Sequence, residues 1–401
     1  MPLETGRAEP EELETLAPIV GWAFGGGTSR ALDWLRAAGA SHVRVARLAQ
    51  RVVGGLVEIP MGQWFGAQSV PTLGLAGVAI APEARGQGLA LGLLRDTLRS
   101  ARQQGVALST LYPSTYRMYR KAGYELAGSH CRFTLQLQKL PRAARSRAVE
   151  ALEDAAQPAL ESLYREVARR QNGYLDRGAY VWNRVRRPDM EPARCFGVPG
   201  ADGLDGYVYL KVLAPRRAPL ELQLSDFVAR TPDALSSLLA FLGDHFSTVE
   251  RASWTGGPSD ARLLGVPERV LQTSIEDYWM LRLVDVRAAL LARGYPALDA
   301  DLELELRDEL LPENSGRYRL ALARGAAQCR FSASAAPGQG AAAASSSASV
   351  RLSVGALAAL YTGFATPWQL ATAGRLQAAE DAQALLASIF AGPAPGLPDF
   401  F

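Results

Sequence analysis

The segment from Gly77 to Leu94, GVAIAPEARGQGLALGLL, joins an apolar run to a leucine-rich run through an arginine and two glycines. Its first residues are apolar and β-branched, which predicts a strand, and its last residues are rich in leucine, which predicts a helix. Between them lie Arg85, Gly86 and Gly88, so two side chains are absent where the helix exposes backbone N–H groups that have no intrahelical partner. The segment therefore predicts a strand that passes into a helix through a turn open to an anion.

An arginine and two glycines at a helix N-terminus are typical of a phosphate-binding turn. The free N–H groups and the partial positive charge of the helix end attract phosphate, and glycines let successive N–H groups converge on it. Arg85 adds a guanidinium group that fits a pyrophosphate. The pattern is not the fingerprint of a Rossmann fold, because no Gly-x-Gly-x-x-Gly begins a βαβ unit here. The alternative is a surface turn that binds no ligand and in which the glycines only allow the backbone to adopt the turn conformation.

The first 137 residues alternate strands and helices. A helix is predicted over residues 11–24, where Pro18 is expected to kink or split it. Later helices are predicted over residues 89–104 and in TYRMYRKAG, with apolar strands between them. The predicted order is β-α-α-β-β-β-α-β-α-β, which indicates an α/β (α+β) domain with a mixed sheet and helices on both faces.

The rest of the chain predicts two further domains, since 401 residues are too many for one ordinary core. Residues 138–277 repeat the end of the first domain in outline, with strands, a turn, a helix over 232–245 and a strand. The turn there is ARTPDALSS, without paired glycines, which predicts a degenerate copy that does not bind the first turn's ligand. Residues 278–401 form a third unit, in which the low-complexity segment 335–349 predicts a hairpin tip.

Composition argues against several classes of protein. A net charge of +3 gives no case for nucleic acid or a membrane surface as a partner. The three cysteines are widely spaced, which predicts reduced thiols, and the three histidines show no metal-ligand spacing. The N-terminal segment lacks the apolar core of a signal peptide, and no apolar run reaches the roughly 20 residues that span a bilayer. We expect a cytoplasmic protein without a metal.

The order of strand, glycine turn, long helix, strand 106–111 and STYRMYRKAGYE resembles the core of a GNAT-type N-acetyltransferase. These enzymes bind acetyl-CoA in a cleft where two neighbouring parallel strands splay apart. The resemblance implies that the backbone of the first strand, at Val78, Ala79 and Ile80, holds the pantetheine arm. It implies that the pyrophosphate is held by the turn residues Arg85, Gly86, Gln87, Gly88, Leu89 and Ala90.

Over its whole length the chain resembles the enhanced intracellular survival family. That resemblance rests on LYPSTYRMYRKAGYE, the degenerate second unit, LRLVDVRAALLARGY and VRLSVGALAALYTG in the third unit, and the terminal phenylalanine. It implies two tandem GNAT-like domains, a sterol-carrier-protein-like domain and assembly as hexamers. The family acetylates amines, including aminoglycosides and lysine side chains. By the same resemblance Ser114 contacts CoA, Tyr119 is the general acid and the terminal carboxylate of Phe401 is the general base.

The residues themselves leave the acid open, because acyl transfer needs a proton donor for the leaving thiolate and several tyrosines are candidates. Tyr116 lies three residues before Tyr119 and is its rival. The tail GLPDFF is stiffened by prolines and ends in two phenylalanines, so we expect it to dock and to bury its carboxylate, with the N-terminal cleft as a candidate place. Burial raises the pKa of such a group.

The acceptor is an amine of unidentified class: an aminoglycoside, a polyamine or a lysine side chain. Aromatic walls with an acidic residue suit a cationic amine, and the early helices supply candidates for such a pocket in Trp22, Phe24, Asp33 and Trp34. Plain core packing is the alternative for these four residues. Two other functions remain open, a lipid or sterol carrier and an acyl-CoA-binding scaffold without turnover.

Overall fold

A computed structural model of the chain describes residues 3–141, 144–153, 156–201, 203–214, 219–266, 268–333 and 349–401. The hairpin tip predicted at 335–349 lies, except for its last residue, outside the described residues. None of the helices in the described ranges is long and apolar enough to cross a membrane.

The N-terminal third follows the predicted order of elements. It contains β1 (Glu4–Arg7), α1 (Glu12–Phe24), α2 (Thr28–Ala38), β2 (Val43–Leu48), β3 (Arg51–Phe65), β4 (Gln68–Ile80), α3 (Leu89–Gln103), β5 (Leu108–Leu111), α4 (Tyr116–Lys121) and β6 (Glu125–Gln136). The expectation that Pro18 splits the first helix is wrong, since α1 is one helix across it. Pro18 lies on the exposed face of α1, where water can replace the backbone hydrogen bond that proline cannot donate.

The middle of the chain contains β7 (Glu150–Leu152), α5 (Gln157–Ala168), β8 (Leu175–Asp176), α6 (Ala179–Arg186), β9 (Arg194–Gly200), β10 (Gly203–Leu213), β11 (Leu220–Ala229), α7 (Pro232–Gly243), β12 (Val249–Gly256) and α8 (Arg262–Gly265). The last part contains β13 (Leu271–Leu283), α9 (Val286–Ala292), β14 (Ala300–Arg307), β15 (Gly316–Ala323), β16 (Ala326–Ala333), β17 (Ser349–Ser353), α10 (Val354–Thr362), α11 (Pro367–Thr372), β18 (Leu376–Gln377) and α12 (Glu380–Ile389).

These elements form two compact units. The first unit consists of Met1–Gly62, Gln68–Ala127 and Trp279–Ala391, and the second of Gln63–Ala67, Gly128–Tyr278 and Gly392–Phe401. The segments predicted as the first and third domains thus share one compact unit. The last ten residues group with the middle of the chain.

The first unit is organised by the leucine stripe of α3. Leu93, Leu94 and Leu98 recur at helical spacing and are completely buried, together with Leu73 and Leu75 of β4. In the sheet beside this helix, β2 is antiparallel to both β1 and β3, whereas β4 and β5 are parallel to each other. The C-terminal part of this unit has its own five-stranded sheet in the order β16-β15-β14-β17-β18.

Like the first unit, the second unit contains two parallel strands that are connected by a helix. Strands β11 and β12 are parallel and are joined by α7, whereas β12 pairs with β6 and β11 with β10 in antiparallel fashion. Its core contains Phe133, Trp254 and Leu238, all almost fully buried. The outline predicted for the middle of the chain is therefore present.

Candidate active site

A cleft opens in the first unit where β4 and β5 part. Their parallel register runs only from Thr72 opposite Leu108 to Gly74 opposite Thr110, although β4 continues to Ile80. Beyond this pairing Gly77 has φ +60°, and a β-carbon there would lie 2.5 Å from Cη2 of Trp34. Only glycine fits this position, because the backbone is in the left-handed region and the ring of Trp34 lies where a side chain would begin.

The cleft has a volume of about 670 Å³. Its described lining comes from the end of α1, the end of β4, the glycine turn, the start of α3, and α4 with the loop before it. The lining contains three cationic side chains, Arg85, Arg117 and Lys121, and no carboxylate. A pocket with these charges suits a polyanion.

The glycine turn forms one end of this cleft. Gly86 and Gly88 have φ +79° and +76°, and a β-carbon at either position would meet no atom within 4 Å, so both positions face open space. Gly88 is the N-cap of α3, and no side chain caps that helix end. Arg85 Nε donates to the carbonyl of Ile80 at 3.1 Å, which holds the guanidinium beside the turn. The turn thus presents helix N–H groups and an arginine to the cleft.

The structure brings nearly all of the predicted cofactor-binding residues to this cleft. Its lining includes Val78, Ala79, Ile80, Arg85, Gly86, Gly88, Leu89, Ala90 and Ser114. Gln87 is exposed and is not among the lining residues. Their assignment to the cofactor stays a prediction, but they share one surface.

Two cationic lining residues were not identified from the sequence. Arg117 and Lys121 are four residues apart on α4 and therefore lie on one face of that helix. Neither has a carboxylate within ion-pair distance in the part of the chain that the structure describes, whereas Arg120 between them pairs with Glu125 at 2.8 Å. The sequence YRMYRK shows two basic residues four positions apart, which places them on one face of a helix. It does not show that this face borders the cleft.

Tyr119 meets the cleft through Ser114. Its side chain is 3% exposed, and its ring packs edge-to-face on Tyr124 with centroids 5.9 Å apart. Burial raises the pKa of Tyr119 to about 12. A hydrogen bond between its side chain and that of Ser114 acts in the opposite direction and lowers the pKa. Ser114 lines the cleft and Tyr119 does not. The phenol therefore keeps its proton at neutral pH and touches one residue of the cleft wall.

The rival tyrosine has different surroundings. Tyr116 is 38% exposed, and the guanidinium of Arg120 lies 5.4 Å from the centre of its ring. It is not among the described lining residues of the cleft. Of the two tyrosines, Tyr119 is the one for which a hydrogen bond to a lining residue is found, and the choice between them remains a prediction.

The four residues predicted for the acceptor pocket are dispersed. Phe24 lines the cleft although it is 55% exposed. Trp22 is 75% exposed and Asp33 is also exposed, and neither lines the cleft in the described structure. Trp34 packs over Gly77 and is not a lining residue either. Their role in an acceptor pocket stays a prediction.

The C-terminal tail is docked within the second unit. Its backbone carbonyls at Leu397 and Pro398 accept hydrogen bonds from His130 Nδ1 at 2.7 Å and Thr255 Oγ1 at 2.8 Å. Phe401 is 6% exposed. The expectation that the tail docks is confirmed, while the catalytic role of its carboxylate stays a prediction.

A buried ion cluster anchors this tail. Asp399 receives Arg177 Nη2 at 2.8 Å, and the same guanidinium donates to Asp226 at 2.5 Å and lies 3.6 Å from the centre of the Tyr164 ring. Burial raises the pKa of Asp399, and the adjacent Arg177 opposes that effect. Because a buried arginine without a carboxylate is strongly unfavourable, the cluster fixes the position of the tail.

The turn of the second unit is built differently from the glycine turn. At the start of α7 the hydroxyl of Thr231 accepts a hydrogen bond from the N–H of Ala234 at 3.2 Å, and Pro232 supplies no N–H at all. The helix end is thus capped by its own chain. That the second turn does not bind the ligand of the first stays a prediction.

Comparisons with known proteins agree with this fold. Residues 5–127 and 173–283 match acetyltransferase (GNAT) domain families, and residues 286–398 match the sterol carrier protein domain family. The crystal structure of a GCN5-related N-acetyltransferase from Anabaena variabilis superposes with a TM-score of 0.91 at 34% identity, over 100% of both chains. The fold and the cleft therefore define an acyltransferase of the GNAT class, and the chain belongs to the GCN5-related N-acetyltransferases.

Two curated relatives narrow this assignment. N-acetyltransferase Eis of Mycobacterium tuberculosis is 27% identical over 81% of this chain and 79% of its own length. An uncharacterized N-acetyltransferase of Streptomyces coelicolor is 27% identical over 84% of this chain and 82% of its own length. With two GNAT domains followed by a sterol carrier protein domain, the chain is an Eis-like N-acetyltransferase.

Proposed function

We propose that this enzyme transfers an acetyl group from acetyl-CoA to a primary amine in the cleft of the first unit. The observation that carries the proposal is the lining of that cleft. A turn of free helix N–H groups and three cations without carboxylate partners in the described chain face one cavity, and no acidic side chain lines it. Such a cavity attracts a pyrophosphate, the anionic group of the proposed co-substrate.

The residues present fit the co-substrate. The glycine turn with Arg85 would hold the pyrophosphate, and the free edge of β4 from Val78 to Ile80 would hold the amides of the pantetheine arm. Acetyl-CoA supplies the thioester, whose carbonyl carbon is the electrophile. The described chain supplies the binding groups, the donors that orient the carbonyl and the proton for the leaving sulfur.

The proposed chemistry forms a C–N bond and breaks a C–S bond. The amine loses its proton to a base and attacks the carbonyl, whose developing negative charge is stabilised by a backbone N–H such as that of Val78. Tyr119 donates the proton that the departing sulfur requires. Its raised pKa keeps the hydroxyl protonated at neutral pH, and its hydrogen bond with Ser114 holds it beside the cleft wall. The base expected at the α-carboxylate of Phe401 is part of the proposal.

The acceptor is proposed as an amine of the aminoglycoside, polyamine or lysine type. The test is thiol release from acetyl-CoA by the full chain, measured with a chromogenic disulfide in the presence of kanamycin, spermidine or a lysine-containing peptide. Release that depends on one of these amines, with acetylated amine detected by mass spectrometry, is the expected result. Tight binding of acetyl-CoA without release above the buffer rate for any amine would indicate a binding scaffold instead.

We propose that the enzyme assembles as a hexamer, on the basis of its similarity to the Eis family. Light scattering of the purified chain at micromolar concentration measures the assembly directly. A monomer at that concentration would contradict this part of the proposal.

A further inference from the structure

Arg117 and Lys121 form a basic pair on α4 that the glycine turn does not explain. Both are exposed, both line the cleft, and neither has an acidic partner among the described residues. Arg120, on the same helix, does not line the cleft and is held by Glu125. The cations of α4 are therefore divided into one that is bound within the protein and two that face the cleft.

Helix electrostatics does not account for this pair. Cations are favoured in the last turn of a helix, which suits Lys121, but they are disfavoured in the first turn, where Arg117 lies. Like charges four residues apart on a helix also repel each other. An anion bound between these two cations in the cleft would remove both penalties.

The proposed function, on which this inference rests, supplies such an anion. CoA carries a pyrophosphate and, at the far end of the molecule, a 3′-phosphate monoester that holds between one and two negative charges at neutral pH. The glycine turn and Arg85 account for the pyrophosphate. The 3′-phosphate then lacks a partner, and the basic pair on the separate helix α4 lacks an anion.

We propose that Arg117 and Lys121 bind the 3′-phosphate of CoA and make the enzyme selective for CoA over 3′-dephospho-CoA. Arg117 supplies a planar guanidinium fork and Lys121 a compact ammonium group, and both geometries suit a phosphate monoester. The pair is a specificity determinant of the co-substrate site and takes no part in the transfer itself.

Isothermal titration calorimetry of the full chain with CoA and with 3′-dephospho-CoA, at one fixed ionic strength, tests this assignment. The wild-type protein is expected to bind CoA roughly 10- to 100-fold more tightly, as loss of one or two charge-assisted contacts implies. The double variant Arg117→Gln/Lys121→Gln keeps both side-chain stems and removes both charges. Its affinity for CoA should fall to that for 3′-dephospho-CoA, which itself should change little.

Arg99→Gln is the matched control, because Arg99 is an exposed arginine on α3 that does not line the cleft. It should keep the full preference for CoA. Equal loss of both ligands in the double variant, or equal affinity of the wild-type protein for both, would overturn the assignment while leaving the proposed function intact. Failure of the wild-type protein to bind either ligand would overturn the proposed function as well.

Discussion

Substitution of Gly88 by alanine tests the glycine turn, and Gly105 provides a matched comparison. Gly88 and Gly105 have φ +76° and +78°, and at neither position would a β-carbon meet an atom within 4 Å. They lie just before and shortly after the same helix, α3, but only Gly88 lines the cleft. The two alanine variants therefore differ in what the added methyl group faces and hardly at all in the backbone conformation it strains.

The two variants are expected to lose similar amounts of folding stability but different amounts of CoA affinity. Alanine in the left-handed region costs about 1–2 kcal/mol, offset in part by about 0.4–1 kcal/mol from the reduced entropy of the unfolded chain. Both variants should thus lose a similar, small part of the free energy of unfolding. At Gly88 the methyl group also stands between an incoming phosphate and the helix N–H groups. A lost hydrogen bond to a charged group is worth about 1.5–3 kcal/mol, which is roughly 10- to 150-fold in the dissociation constant.

Calorimetric titration with CoA measures the binding term, and chemical denaturation of the same preparations measures the stability term. Gly88→Ala should bind CoA more weakly by the factor given above, whereas Gly105→Ala should bind like the wild-type protein. If the two variants bind CoA with equal affinity, the turn does not hold the phosphate and the reasoning from its backbone is refuted.

Four further results are expected. Tyr119→Phe should lower turnover roughly 100- to 10,000-fold and leave CoA affinity unchanged; if Tyr116→Phe does so instead, the acid is Tyr116. Because burial raises the pKa of Tyr119 to about 12, its proton is held well beyond pH 10, so kcat should show no alkaline fall centred near pH 10. Asp399→Asn leaves a buried arginine with one carboxylate and should destabilise the protein by as much as about 3–5 kcal/mol, seen as a lower urea midpoint. Residues appended after Phe401 should abolish acetyl transfer but spare CoA binding, and full activity of a C-terminally tagged protein would exclude its carboxylate as the base.

Much of the first unit follows from local sequence signals. The change from an apolar, β-branched run to a leucine stripe marks the passage from β4 to α3, and the glycines between them permit the positive φ angles that the structure contains. Docking of the tail also followed from its composition, since prolines lower the entropy lost on ordering and phenylalanines gain from burial.

What the sequence did not predict depends on contacts between distant segments. The ring of Trp34 was expected in an acceptor wall, but it packs on Gly77, a close approach that no pattern within α2 indicates. Likewise, the spacing of Arg117 and Lys121 places them on one face of α4 without telling what that face meets. Pro18 shows the converse, because a helix breaker is tolerated where its missing hydrogen bond faces solvent.

The parting of β4 from β5 leaves a strand edge inside a folded protein. Backbone groups along such an edge normally pair with another strand, and an unpaired edge invites association with any extended chain. An elongated ligand with regularly spaced amide groups can serve as the absent strand. On this view the ligand completes the sheet, and saturating CoA should raise the melting temperature and slow amide hydrogen exchange along β4 beyond Gly74, where the described pairing with β5 ends. If the proposed co-substrate binds there, it supplies the hydrogen-bond partners that this part of β4 lacks in the free enzyme.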